Sequence, residues 1–232
     1  MGKRIIQQAR GHGSLTYRVR KKAFSIKPKY LQNLEGDWQI IDFIHSAGHS
    51  TPIVKLRNDE GRVFYNIAAN GLILGQKIYF GGENFGDVNF LGKIKPGTKI
   101  FNIENNPFDG GKLVRSGGNF ALILSKEEEG VKVLMPSKKV KLFKENCRAT
   151  IGEIAAQGRL EKPVLKAGKK YYIKKAKSKK WPRTSAVKMN AVDHPFGSGR
   201  GKRIKSKIVK RFAAPGQKVG LLKPRRTGRK KA

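Results

Sequence analysis

Residues that could catalyse a reaction are few in this 232-residue chain, and their spacing suits no known site. The four histidines form no HxH or HExxH pair, and Cys147 has no CxxC partner, so a first-row metal would lack ligands. His45 and His49 are four residues apart, but Gly48 and the Ser-Thr-Pro sequence at 50–52 indicate a loop rather than one face of a helix. We therefore predict no metal site.

Asp193, His194 and Ser198 lie close in sequence and could be read as a hydrolytic triad. Sequence neighbours seldom present the oriented bond from His to Asp that a triad needs. The chain contains no GxxxxGK[ST] phosphate loop, and the glycines at 197, 199 and 201 follow no apolar strand. The sequence thus predicts a protein that is not an enzyme.

The glycine-rich run GSGRGKR, residues 197–203, fits contact with phosphate better. Glycine lets backbone N–H groups approach phosphate oxygens without interference from a Cβ atom. Arg200, Lys202 and Arg203 add directional donors and point charges. A solvated flexible linker is the alternative interpretation of this run.

Aromatic residues among the lysines could stack on unpaired bases. Trp181 and Phe196 lie where charge is dense and apolar neighbours are scarce, so we predict that both contact RNA. Stacking contributes roughly 1–3 kcal/mol per base where it occurs. Tyr171 and Tyr172 have the same surroundings, but they could also belong to the core of a folded domain.

The distribution of charge along the chain shows which segments carry these residues. The net charge is +35, far above what solubility requires, which predicts a polyanionic partner. Residues 1–35 carry 9 basic and 1 acidic residue, and residues 176–232 carry 19 basic residues against Asp193 alone. Without apolar periodicity, both segments are expected to be arms that fold only against their target.

The segment between the arms is predicted to be all-β. Apolar runs of four to seven residues recur between Gly, Pro, Asn and Asp clusters, the pattern of small antiparallel barrels, and we expect two in tandem. In the second barrel, Val131 and Val133, then Val140 and Leu142, alternate with lysines, so we expect these four to face the core. No run is long enough to span a membrane, and the basic start lacks a signal sequence, so we expect a cytoplasmic protein.

Several stretches resemble a known family. KKWPRTSAVKMNAVDHPFGSGRG (179–201) is similar to the signature of the second protein of the large ribosomal subunit, in its archaeal and eukaryotic cytosolic form. GHGSLTYR (11–18), FDGGKLVRSGG (108–118) and CRATIGEIAAQGRLEKPVLKAGKKYY (147–172) resemble the same family, as do APGQKVG and RRTGR near the end. The resemblance covers essentially the whole chain.

The resemblance implies a fold and a function. It implies an OB-like barrel at 36–115 and an SH3-like barrel at 116–175, between an amino-terminal arm at 1–35 and a carboxyl-terminal extension at 176–232. The function implied is structural: binding large-subunit ribosomal RNA, supporting subunit association and shaping the surroundings of the peptidyl transferase centre. Expected partners are that RNA, neighbouring ribosomal proteins and the small subunit across the intersubunit face, with no membrane. We expect no cofactor, and Mg²⁺ only as a counterion of the RNA.

Carried over by position, the family's MN-x-x-DHP element falls on residues 189–195, and its basic arms fall on the arginines and lysines of this chain. The predicted RNA-binding residues are Lys3, Arg4, Arg10, Arg18, Arg20, Lys21, Lys22, Arg115, Arg148, Arg159, Lys169, Lys170, Trp181, Arg183, Asn190, Asp193, His194, Phe196, Arg200, Lys202, Arg203, Lys218, Arg225, Arg226 and Arg229.

Two other functions remain open from the residues alone. One is an architectural protein that coats nucleic acid without sequence choice, although such a protein does not need two barrels with extensions at both ends. The other is an RNA-acting enzyme that uses Asp193 and His194, although it would lack a phosphate loop, a metal cluster and a second carboxylate.

Overall fold

The structure, a computed structural model, describes residues 2–14, 17–18, 20–159, 161–201, 209 and 212–220. It comprises two compact units. The β unit is made of the described residues between 20 and 170, and the terminal unit is made of those before 20 and after 170. The predicted RNA-binding residues Lys202, Arg203, Arg225, Arg226 and Arg229 lie outside the described residues.

The β unit contains two antiparallel sheets, which confirms the predicted all-β class. The strands are β1 (Asp37–Ile44), β2 (Ile53–Arg57), β3 (Val63–Ile67), β4 (Lys77–Tyr79), β5 (Val88–Phe90), β6 (Lys99–Phe101), β7 (Ala121–Glu127), β8 (Gly130–Leu134), β9 (Val140–Phe143) and β10 (Arg148–Ile151).

The strand order is β3-β2-β1-β4 in the four-stranded sheet and β5-β10-β6-β7-β8-β9 in the six-stranded sheet. Strands β1 and β7 each contain a shift of register, which bends a sheet and increases its twist. Strands β5 and β6 pair with β10, whereas the sequence assigns them to the first barrel. The domain boundaries themselves stay a prediction.

A shared apolar cluster joins the cores of the two sheets. Ile67 and Ala69, at and just after the end of β3, pack with Phe101 and Ile154, and none of the four is more than 3% exposed. An isolated antiparallel bridge pairs Ala69 with Ile154. Burial of a side chain as large as isoleucine stabilises the fold by about 1.5–3 kcal/mol, so this cluster ties the sheets together.

The prediction for the core faces of β8 and β9 is half right. Val131 and Val133 are fully buried, as expected. Val140 and Leu142 are 53% and 41% exposed, so the prediction that they face the core is wrong. The register pairs Phe143 with Val131, and because side chains alternate along a strand, the inward Phe143 turns its neighbour Leu142 outward.

Lys141 consequently shares the inner side of β9 with Phe143. It pairs across the strands with Val133, and its ammonium lies 4.8 Å from the centre of the Phe143 ring. The ammonium also donates a hydrogen bond to Oδ1 of Asn105. The cation is held at the open side of β9 by an aromatic face and an amide oxygen.

Residues 20–35 pack on the β unit, although their composition predicts part of a flexible arm. A short 3₁₀ helix, Lys21–Phe24, places Ala23 in the core, and Tyr30 and Leu34 are 2% and 3% exposed. The Tyr30 hydroxyl hydrogen-bonds Oγ1 of Thr150 at 2.5 Å, and burial raises the pKa of Tyr30 far above its ordinary value. The apolar positions are too few and too irregularly spaced to show as a pattern in the sequence.

Arg148 is buried, so its predicted contact with RNA is corrected to a structural role. It is 1% exposed and Glu104, its partner at 2.8 Å, is fully buried. The guanidinium also donates to the carbonyl oxygens of Leu31 at 2.6 Å and Gln32 at 3.3 Å. The pair therefore fastens residues 31–32 to β10 from inside the core.

Arg115 also serves the fold. Its guanidinium donates to the carbonyl oxygen of Pro28 at 2.8 Å and to that of Gly111 at 3.3 Å. Burial lowers the pKa of Arg115. Two of the residues that the resemblance assigns to RNA thus hold residues 20–35 in place.

The terminal unit contains short helices and turns. Helix α1 (Ile6–His12) ends at Gly13, whose φ of 74° is the left-handed conformation that glycine adopts without strain. A 3₁₀ helix spans Ala186–Lys188, and another spans Pro215–Gln217. Helix α2 (Ala167–Ala176) runs from the end of the β unit into the terminal unit and buries none of its residues.

Candidate nucleic-acid interface

The MN-x-x-DHP element forms a closed turn. The carbonyl oxygen of Asn190 accepts hydrogen bonds from the amides of Asp193 at 3.0 Å and His194 at 3.2 Å. The Gly197 amide donates to the carbonyl oxygen of His194 at 2.8 Å, and the Ser198 amide donates to the carbonyl oxygen of Met189 at 3.0 Å. Four backbone bonds thus bring residues 189 and 198 together.

Gly197 is required in this turn because of a close approach between backbone segments. A Cβ atom at this position would lie 2.2 Å from the carbonyl oxygen of Asn190, far inside contact distance. The first glycine of the predicted phosphate-contacting run therefore closes the turn, which differs from the role that the sequence predicts for it.

The ring of His194 is oriented by the backbone. Its Nδ1 accepts a hydrogen bond from the Phe196 amide at 3.0 Å, and the two rings lie 5.1 Å apart. Burial lowers the pKa of His194, which favours the neutral ring. A neutral imidazole that accepts at Nδ1 carries its proton on Nε2, so His194 offers an N–H donor at the far side of the ring.

Asp193 does not orient this imidazole through its carboxylate. The carboxylate forms an ion pair with Lys3 at 3.7 Å; the Lys3 side chain is exposed and the Asp193 side chain is about half-buried. The Lys3 amide donates to the carbonyl oxygen of Val192 at 2.8 Å, so the amino-terminal segment and the turn are joined twice. The arrangement positions a ring and a backbone turn; it does not form the Asp–His pair of a triad.

Two cavities lie beside the turn, within the terminal unit. The larger, about 530 Å³, is bordered by α1 and by residues 180–194, including His194. The smaller, about 300 Å³, is bordered by Trp181 and several cations. Arg10, Lys180 and Arg183 border both. Three positive charges thus stand where the two cavities meet.

Exposed tyrosines accompany lysines on α2. Tyr171 and Tyr172 are 41% and 68% exposed, with ring centres 5.5 Å apart in an edge-to-face arrangement. The Lys175 ammonium lies 5.5 Å and 6.0 Å from the two ring centres. Of the two interpretations left open for these rings, core and surface, the structure supports surface.

The structure brings some predicted residues together and separates others. In the terminal unit, Arg10, Arg183 and His194 border one cavity, with Trp181 at the next. Predicted cations that lie on the surface in either unit are Lys3, Arg4, Arg10, Arg18, Arg20, Lys21, Lys22, Arg159, Lys169, Lys170, Arg183, Arg200 and Lys218.

Some residues of this site were missed by the sequence prediction. Ile5, Ile6 and Met189 supply the apolar wall of the larger cavity, and Lys180 supplies one of the three shared cations. Tyr17 lies beside Lys180, with its ring centre 5.2 Å from the ammonium. The spacing of Ile6 and Arg10, one helical turn, is the only local signal that could have indicated a helix facing this site.

No described helix is long and apolar enough to cross a membrane. Within the part of the chain that the structure describes, no three His, Cys, Asp or Glu side chains are grouped as metal ligands.

Two antiparallel sheets with a strongly basic surface, and a turn that presents an N–H donor among cations, define a basic β protein suited to a polyanion. The family model "Ribosomal Proteins L2, C-terminal domain" matches residues 84–213. The large ribosomal subunit protein uL2 of Archaeoglobus fulgidus is 43% identical over 235 residues, which cover 98% of this chain and 99% of that protein. The protein of the same name from Methanococcus maripaludis strain C5 is 43% identical over 242 residues, 99% of this chain and 100% of its own.

The chain belongs to the ribosomal protein L2 family, a structural constituent of the large ribosomal subunit and not an enzyme family. The resemblance given by the residues is confirmed. RNA binding and a role in translation follow from the family, and its members are proteins of the ribosome.

Proposed function

We propose that the protein binds large-subunit ribosomal RNA through its terminal unit. The observation that carries the proposal is the closed turn at 189–198, which holds His194 at the cavity that Arg10 and Arg183 also border. Cations give affinity for the phosphate backbone, and fixed donors and rings set the position of the strand. We further propose that this binding supports subunit association and the architecture around the peptidyl transferase centre.

The partners proposed are ribosomal RNA, neighbouring ribosomal proteins and, across the intersubunit face, the small subunit. The protein would act in the cytoplasm without a cofactor of its own, with Mg²⁺ as a counterion of the RNA. The charge of residues 176–232, 19 basic against 1 acidic, supports this assignment because each phosphate that is neutralised releases counterions.

Sedimentation of the tagged full-length protein through a high-salt sucrose gradient tests the binding. The wild type should remain with the large subunit. Arg10→Glu with Arg183→Glu should shift the protein toward the top of the gradient, because two reversed charges repel the phosphates. The matched control is Lys139→Glu with Lys144→Glu, two exposed lysines of the β unit.

Two results would contradict the proposal. One is a wild type that leaves the subunit in high salt. The other is a variant with Arg10→Glu and Arg183→Glu that stays bound to the large subunit as firmly as the control variant. Recovery of the protein with nucleoids instead of subunits would favour the nucleic-acid coat protein.

The link to the peptidyl transferase centre needs its own test. His194→Gln keeps hydrogen-bonding groups but cannot act as an imidazole base. Reconstituted large subunits that carry it should form peptide bonds at a near-normal single-turnover rate, while His194→Ala should impair assembly or subunit joining. A loss of 10²-fold or more in fully assembled His194→Gln particles, the scale of a lost general acid or base, would contradict the structural role.

A further inference from the structure

The larger cavity of the terminal unit has the dimensions of a ligand site. Its volume of about 530 Å³ lies within the roughly 300–1,000 Å³ of small-molecule sites. Ile5, Ile6 and Met189 provide apolar wall, while Thr184 and Ser185 provide hydroxyl groups. Apolar side chains line one part of the cavity, and polar or charged side chains line the rest. This mixed lining suits a flat ring that is apolar on its faces and polar at its edges.

The cations are placed at one side of this cavity. Arg10, Lys180 and Arg183 border both the larger cavity and the smaller one that holds Trp181. Lys180 is supported by Tyr17, whose hydroxyl oxygen lies 3.3 Å from the ammonium. A phosphate at this shared wall would meet three positive charges, with a ring-sized space on either side.

We propose that the larger cavity receives one unstacked nucleotide of an RNA strand, with the base inside and its phosphate against Arg10, Lys180 and Arg183. The proposal rests on the proposed function, since it names the part of the RNA that the terminal unit takes. The base of the next nucleotide then stacks on Trp181 in the smaller cavity. Single-stranded RNA is commonly bound in this way, by unstacked bases and aromatic rings.

His194 supplies a donor for the edge of that base. Its Nδ1 accepts from the Phe196 amide at 3.0 Å and the residue lines the cavity, so Nε2–H is the ring donor left for a ligand. All four bases carry ring-nitrogen or carbonyl acceptors on their edges. Burial lowers the pKa of His194, which favours the neutral ring, and the Phe196 amide at Nδ1 leaves the proton on Nε2.

A free phosphate would use only part of this site. It would engage the cations but leave the apolar wall of Ile5, Ile6 and Met189 without a partner. A nucleotide uses both halves, because its base is apolar on its faces and polar on its edges. The chemistry of the lining therefore favours a nucleotide over an isolated anion.

Binding of two octameric RNAs to the full-length protein tests the proposal. One is octaadenylate, and the other is an abasic octamer with the same ribose-phosphate backbone and charge, both labelled for fluorescence anisotropy. Wild type should bind octaadenylate roughly tenfold more tightly than the abasic octamer or better, since stacking alone is worth roughly that factor per base.

Filling the cavity should remove the part of this preference that the cavity contributes. Ala186→Phe places a ring in the larger cavity without changing charge, and it should lower the preference for octaadenylate by roughly tenfold while leaving affinity for the abasic octamer unchanged. Thr184→Phe, also at the wall, does the same if circular dichroism shows that Ala186→Phe is misfolded. The matched control is Ala214→Phe, at an exposed alanine of the terminal unit that lines neither cavity, and it should keep the wild-type preference.

Three results would overturn the nucleotide site. The first is equal affinity of the wild type for both octamers. The second is an unchanged preference for octaadenylate in both folded cavity variants. The third is an equal loss of affinity for both octamers in those variants. Each of these leaves the sedimentation result of the wild type untouched. Departure of the wild type from large subunits would instead contradict the proposed function, so the two failures are distinguishable.

Discussion

At the scale of single residues, the same amino-acid type serves opposite purposes in this chain. Arg148 is buried against Glu104, and its ring neighbours Tyr30 and Phe108 lie 5.5 Å and 5.0 Å from the guanidinium carbon. Arg183, by contrast, is exposed at a cavity. Sequence does not separate the two, because the carboxylate that neutralises Arg148 lies 44 residues earlier in the chain.

Replacing Arg148 by methionine should destabilise the β unit strongly. Arg148→Met leaves the buried carboxylate of Glu104 without its partner, and such a loss costs about 3–5 kcal/mol. Urea unfolding at constant ionic strength measures the change in the free energy of unfolding. The control is Lys169→Met, an exposed site where the change should stay within about 0.5 kcal/mol. A loss below about 1 kcal/mol for Arg148→Met would show that the pair contributes little.

His194 should titrate below its ordinary pKa of 6.5, because burial disfavours the charged ring. Between that lowered value and 6.5 the unfolded chain binds more protons than the folded one, so stability is lost as the pH falls through this window. Nitrogen NMR of the imidazole should show a neutral ring protonated on Nε2, and in urea the same ring should titrate near 6.5. A folded pKa at or above 6.5, or a proton on Nδ1, would contradict the structure.

At the scale of elements, the turn at 189–198 depends on one glycine. Gly197→Ala would place a Cβ atom 2.2 Å from the Asn190 carbonyl oxygen, so the turn must open. We expect the Ser198 amide, which donates to Met189, to lose its protection from hydrogen exchange. Gly11→Ala is the control, because Gly11 lies in α1 with nothing near its Cβ position and alanine favours a helix by about 1 kcal/mol. Unchanged protection of Ser198 in Gly197→Ala would show that the backbone approach is not tight.

Strands were easier to predict than their faces. Alternation correctly places Val131 and Val133 in the core, because β8 is paired on both sides and has one buried face. The same alternation fails for Val140 and Leu142. Strand β9 ends at Phe143, and the strand buries this large ring, so the two smaller residues face outward. The local sequence pattern shows that side chains alternate along the strand, but the register with a neighbouring strand decides which side is buried.

At the scale of the whole molecule, charge was readable from sequence and the cavities were not. The family and the basic termini follow from stretches that can be read along the chain. The larger cavity combines Ile5 and Arg10 with Arg183 and His194, which lie more than 170 residues away in sequence. No periodicity connects such distant segments, so only the folded chain reveals that they form one site.

The salt dependence of RNA binding should reflect the exposed cations. If about ten of them displace counterions, log affinity should fall with log salt at a slope of roughly −7 to −9. Arg10→Gln with Arg183→Gln should make that slope shallower by roughly 1.4–1.8, because each contact contributes about 0.7–0.9. Filter binding from low to moderate salt measures both slopes. A wild-type slope shallower than about −3 would mean that most of the +35 charge does not meet phosphate.

Lys141, on the inner side of β9, also affects whether copies of the protein associate through this strand before they bind RNA. Strand β9 ends the six-stranded sheet, so no strand among the described residues pairs with one side of its backbone. The same strand carries the exposed Val140 and Leu142. Such an edge invites a second molecule to add its own strand and start an aggregate. A strand added there would have to cover the Lys141 ammonium and strip it of water, which is costly for a cation whose described partners are an amide oxygen and an aromatic ring. We therefore expect Lys141 to disfavour pairing of two copies along β9.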